Sequence, residues 1–152
     1  MPEKAIEDFL IANNFDSAGR VAKSSGMPER EHHIYAIGLE KYEKEAREAR
    51  RDDSRKWNLG QAVHFAKLLG LDEKAVELLE TGGMFDQAAK TAEAAGMHLV
   101  ATRNWEKAGN FESAAASAGK AGDGGKAEAY RQVAELVKPR EREHWFGNPQ
   151  VF

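Results

Sequence analysis

From residue 70 onward the small and apolar positions fall on a fixed beat. Gly70, Gly83, Gly96, Gly109 and Gly122 stand 13 residues apart. Glycine takes the left-handed backbone conformation without strain and is favoured just past a helix end. Each interval therefore reads as a helix of about ten residues closed by its glycine. Five residues after the glycines come Ala75, Ala88, Ala101, Ala114 and Ala127; nine after come Leu79, Ala92, Trp105, Ala118 and Arg131. Twelve after come Gly82, Ala95, Ala108, Ala121 and Ala134. These offsets are i, i+4 and i+7, one face of an α-helix. The pattern predicts helices that meet along a narrow seam of small residues. A helix this short is marginal alone in water, where the limit lies near roughly 12–15 residues, so stacking has to hold it.

A doubled period sits on the first. Phe85 and Phe111 each stand two residues after a glycine and are 26 apart, which makes a pair of helices the unit. Upstream, Asn14-Phe15-Asp16-Ser17-Ala18 with Ala22 and Gly26 parallels Met84-Phe85-Asp86-Gln87-Ala88 with Ala92 and Gly96. Residues 3–26 are thus one more hairpin. Pro28 suits a first helical turn, Glu29 and Glu31 favour a helix start, and one long helix is expected to about Arg51, with Ile34, Ile37, Tyr42 and Ala46 inward. Asp52, Asp53 and Ser54 are expected to form a turn and cap, followed by a helix over residues 57–69. Ala127, Tyr130, Val133, Ala134 and Val137 mark the last helix, which Pro139 is expected to stop. Arg131 stands where earlier helices keep Leu, Ala or Trp, as befits an end repeat with one wet face. The fold class expected is all-α: antiparallel helical hairpins stacked as a short right-handed α-solenoid. Residues 1–137 form its single helical-repeat domain and residues 138–152 a C-terminal tail.

Gly109-Asn110-Phe111-Glu112-Ser113-Ala114, with Trp105 before it and Ala118 and Ala121 after, resembles the junction between the two helices of a tetratricopeptide repeat. Gly83-Met84-Phe85-Asp86-Gln87-Ala88 repeats the likeness, and Trp57-Asn58-Leu59-Gly60 is similar to a repeat's opening. The unit here is 26 residues instead of about 34, and no proline closes each repeat. The resemblance is therefore to the broader tetratricopeptide-like α-solenoid group, loosely over residues 3–137 and well over 57–122. It implies a scaffold that binds partners and names none.

Composition narrows the function further. With 22 basic and 25 acidic residues the formal net charge is -3, so no whole-molecule field draws the chain to phosphate backbones or anionic lipid. The absence of cysteine removes disulfides and thiolate chemistry, which fits a reducing compartment. Met1-Pro2-Glu3-Lys4 does not open a signal peptide, and no run of 18 apolar residues offers a membrane span. A cytoplasmic protein with no membrane contact is expected.

The chemistry-bearing residues are dispersed. His32 and His33 are adjacent and point apart, while His64, His98 and His144 are isolated, so no metal site and no cofactor are expected. Gly122-Asp123-Gly124-Gly125-Lys126 lacks the preceding strand and the ending of a phosphate loop, and reads as a turn. Lys41, Lys44, Arg47, Arg50, Arg51, Arg55 and Lys56 are interleaved with acids, and Glu40 to Lys44 and Glu43 to Arg47 are spaced as i, i+4 pairs. Trp57, Phe65 and Trp105 are expected in the core. The function expected is a protein-interaction or scaffold module that takes a peptide or helix on its surface and is not an enzyme. The alternatives are a nucleic-acid-associated helical adaptor and, third, an enzyme of unrecognised type. Candidate partner-binding residues are Tyr42, Arg47, Arg50, Arg51, Trp145 and Phe146. The last two, in the tail, are expected to dock on a helical surface of the same chain or of a second copy, giving a homodimer.

Overall fold

The computed structural model describes the backbone of residues 1–146 and the side chains of residues 1–138. Among the described residues it is all-α, with nine helices and no strand. In order they are α1 (Pro2–Ile11), α2 (Phe15–Ser24), α3 (Pro28–Glu48), α4 (Asp52–Leu68), α5 (Asp72–Thr81), α6 (Phe85–Ala94), α7 (His98–Lys107), α8 (Phe111–Lys120) and α9 (Gly124–Phe146).

The 13-residue beat is a ten-residue helix plus a three-residue turn, and the turn chemistry explains why it repeats. Gly83, Gly96, Gly109 and Gly122 have φ of 69°, 74°, 76° and 81°, in the left-handed region that favours glycine. The residue after each glycine does two jobs. Its N–H closes the helix behind it: Met97 donates to the Ala92 carbonyl at 2.8 Å and Asn110 to that of Trp105 at 2.9 Å. Its carbonyl opens the helix ahead, accepting from Ala101 at 2.9 Å in the first case and from Ala114 at 3.0 Å in the second. No residue is left over between helices, so the period cannot drift. Asn13, at φ 55°, takes the glycine's place between α1 and α2. Asn14 and Asn110 add side-chain caps to the N–H groups of Ser17 and Ser113, each at 3.1 Å, worth about 1 kcal/mol apiece.

The chain divides into two compact units, Met1–Met84 and Phe85–Phe152. Within each, helices pack on their neighbours in sequence. In the first unit Ile6, Phe15, Ala18, Ala22, Ile34, Tyr35 and Phe65 form one buried cluster. Gly19 allows α2 and α3 to approach: a Cβ there would run into the buried ring of Tyr35. Gly19→Ala is accordingly expected to lose about 1–3 kcal/mol in a urea titration. Gly60→Ala, inside α4 with open space around its Cβ, should gain up to about 1 kcal/mol through helix propensity.

The second unit is built on the first two positions of the alanine seam; the third falls in the turns after α6, α7 and α8, where Ala95, Ala108 and Ala121 are half-buried. Ala88, Ala92, Ala101 and Ala114 are fully buried, and Ala118 and Ala127 are 1% exposed. Trp105 on α7 is buried as well, and Glu93 on α6 ties three helices together. It accepts from Trp105 Nε1 on α7 at 2.9 Å and from Ser117 Oγ on α8 at 2.5 Å. The same offset recurs one helix on, where Tyr130 on α9 donates to Glu106 on α7 at 2.8 Å. The Ser117 and Tyr130 bonds each join helices two apart along the chain and align them across the one between. Arg131 is exposed at the seam position of α9, as expected of a terminal helix.

Ile37, expected inward, is exposed on α3, and three further expectations change. Trp57 is 59% exposed instead of core; its ring meets the edge of Tyr42 at 5.8 Å, and Phe65, two turns on, occupies the interior. Asp52, Asp53 and Ser54 belong to the first turn of α4 instead of a loop, where the carboxylates favour the positive end of the helix dipole. The backbone of α9 runs through Pro139 to Phe146, because a proline removes one N–H and crowds one carbonyl, a cost of about 3 kcal/mol that kinks or weakens a helix without having to end it.

Candidate functional site

In the first unit the end of α3, the start of α4 and the length of α5 frame an open cleft of about 370 Å³. Helical spacing supplies its lining. Glu43, Ala46 and Arg47 come from α3 at i, i+3 and i+4; Arg55 and Leu59 from α4 at i and i+4; Lys74, Glu77, Leu78 and Thr81 from α5 at i, i+3, i+4 and i+7. Ala46, Leu59 and Leu78 are buried and make an apolar floor. The charged groups stand around it as a rim.

The rim is ordered by one ion pair. Lys74 Nζ lies 2.8 Å from Glu43 Oε1 and 3.8 Å from a Glu77 oxygen. The hydrogen bond to Glu43 holds the Lys74 ammonium above its ordinary range, against the lowering effect of burial and of the nearby Arg47. This pairing departs from the i, i+4 expectation: Glu43 is partly buried and turned towards α5, so it meets Lys74 instead of Arg47. Among the described residues Arg47 and Arg55 form no ion pair, and both are exposed on the rim. Two guanidiniums therefore stand on the rim of an open cleft with an apolar base.

Of the described residues expected to meet a partner, only Arg47 lines this cleft. Arg50 and Arg51 are exposed in the α3–α4 turn, outside the lining. Tyr42 is half-buried in an aromatic cluster: it stacks on Phe65 with 5.9 Å between centroids and 7° between planes, and meets Phe15 edge-on at 6.3 Å. Lys41 Nζ sits 5.4 Å from the Tyr42 centroid. The side chains of Trp145 and Phe146, and the docking expected of them, lie outside the described residues. Arg55 belongs to the basic run in the sequence, whereas nothing local links Lys74, Glu77 and Leu78 to it, since only the packing of α5 against α4 brings them there.

Elsewhere His64 Nε2 lies 2.7 Å from Asp16 Oδ1 on an exposed surface, and His32 and His33 are exposed. Among the described residues no cluster of three or more His, Asp or Glu could hold a metal ion, and no helix is long and apolar enough to cross a membrane. Compared with protein-family models, curated proteins and solved structures, the chain matches none.

Proposed function

We propose that the chain is a protein-interaction module of the tetratricopeptide-like α-solenoid kind, which binds a peptide or helix in the cleft framed by α3, α4 and α5, and that it is not an enzyme. The observation that carries this reading is the cleft itself, an apolar floor of Ala46, Leu59 and Leu78 inside a charged rim. Seating one apolar side chain on such a floor contributes about 1.5–3 kcal/mol, while the rim charges select orientation and partner. The helix-plus-turn repeat and the packing of sequence neighbours support the solenoid part of the reading. Exposed Arg50 and Arg51 next to the cleft favour nucleic acid as the second reading.

The test exploits the lack of cysteine. Thr81, an exposed rim residue, is changed to cysteine and capped with a bulky maleimide. Random peptides displayed on phage are selected on the full chain, and their binding is compared with and without the adduct. The adduct is expected to weaken the selected peptides about tenfold or more, equivalent to losing one seated side chain. Selected peptides that bind the capped protein unchanged, or a selection that enriches none, would count against the module reading.

A further inference from the structure

We infer that the cleft recognises an acidic peptide, one that sets a carboxylate between Arg47 and Arg55 and an adjacent apolar side chain on the Leu59–Leu78 floor. The inference rests on the cleft being the binding surface and adds the chemistry of the occupant. The lining carries three cations, Arg47, Arg55 and Lys74, and two anions, Glu43 and Glu77. Both anions lie within ion-pair distance of Lys74, so among the described residues the guanidiniums are what remains for a ligand. Arg47 comes from the end of α3 and Arg55 from the first turn of α4, so a carboxylate between them would be held by two helices at once. Guanidinium presents planar N–H donors that match a carboxylate, and bonds to charged groups are the stronger class.

The same cleft disfavours a polyanion. Glu43 and Glu77 would face any phosphate beyond the first, and the floor offers a backbone of sugars nothing to bury. A peptide carboxylate brings one charge and an apolar neighbour, which is what the cleft complements. The net charge of -3 adds no long-range attraction for RNA.

The probes are fluorescein-labelled helical peptides of one apolar framework carrying Glu, Gln or Lys at a single position, and a labelled single-stranded RNA. Anisotropy titrations use the parent, R47Q/R55Q and R50Q/R51Q, each checked for helicity. The Glu peptide is expected to bind the parent about tenfold or more tightly than the Gln peptide. R47Q/R55Q should abolish that preference, R50Q/R51Q should keep it, and added salt should reduce it. Equal binding of the Glu and Gln peptides, or a preference that survives R47Q/R55Q, overturns the inference. If the capped Thr81→Cys protein still binds those peptides more weakly than the uncapped one, the module reading stands without it. Binding of the RNA in place of the peptides, lost in R47Q/R55Q, overturns both.

Discussion

Ala114→Glu is expected to unfold the Phe85–Phe152 unit. Ala114 is fully buried on α8, which packs against α7 on one side and α9 on the other. A glutamate there must bury its charge unpaired or push neighbouring helices apart. An uncompensated buried charge costs about 3–5 kcal/mol, a large fraction of the roughly 5–15 kcal/mol that stabilises a whole domain. Ala116→Glu, two residues on and exposed, separates this effect from helix propensity and should leave the melting transition nearly in place. Circular dichroism showing Ala114→Glu as helical and as heat-stable as the parent would remove the small-residue seam as the basis of packing.

Trp105→Ala is expected to cost about 3–5 kcal/mol, the usual range for deleting a buried aromatic side chain. It also takes a donor from Glu93, so Trp105→Phe isolates the hydrogen bond and should cost about 1–2 kcal/mol. Acid titration gives a second readout. Burial pushes the Glu93 carboxyl up, but the hydrogen bonds from Ser117 and Trp105, with the charges of Lys120 and His98, outweigh it and hold the group below its ordinary range. A folded-state pKa below the unfolded value means stability that is complete above the unfolded value and lost as pH falls through the folded one. Trp105→Phe should flatten that acid limb of the stability curve. An acid limb identical to the parent's would show that Glu93 does not pin these helices.

Much of the fold is legible in the sequence because each turn is a local event. Gly83, Gly96, Gly109 and Gly122 are needed for their positive φ, and the alanines five residues on are needed for close approach, so both leave a residue type at a fixed place. Trp57 misleads for a physical reason: a large aromatic can lie half-exposed along a neighbouring ring and still be well packed on one side, as it does on Tyr42. Pro139 misleads because the cost of one lost hydrogen bond is finite.

The cleft is less legible. Arg47 belongs to a basic run that reads as a solvated helix face, and its lack of an ion pair among the described residues follows from Glu43 pairing with Lys74, 31 positions away on α5. That choice depends on which way α3 faces when α5 packs beside it, and no local pattern encodes it. The Glu93 bridge did leave a trace, since Glu93 and Glu106 share one offset from their glycines, and Ser117 and Tyr130 share another two helices later. The structure supplies the reason: each pair makes the same reach across an intervening helix.

The most direct measurement is amide and side-chain chemical-shift mapping of the full chain, isotope-labelled and titrated with the Glu peptide. The account expects the shifts to converge on Ala46, Arg47, Arg55, Leu59, Lys74 and Leu78, with the Arg47 and Arg55 guanidinium signals moving most. Shifts gathered on another surface, with these residues unmoved at saturation, would contradict it.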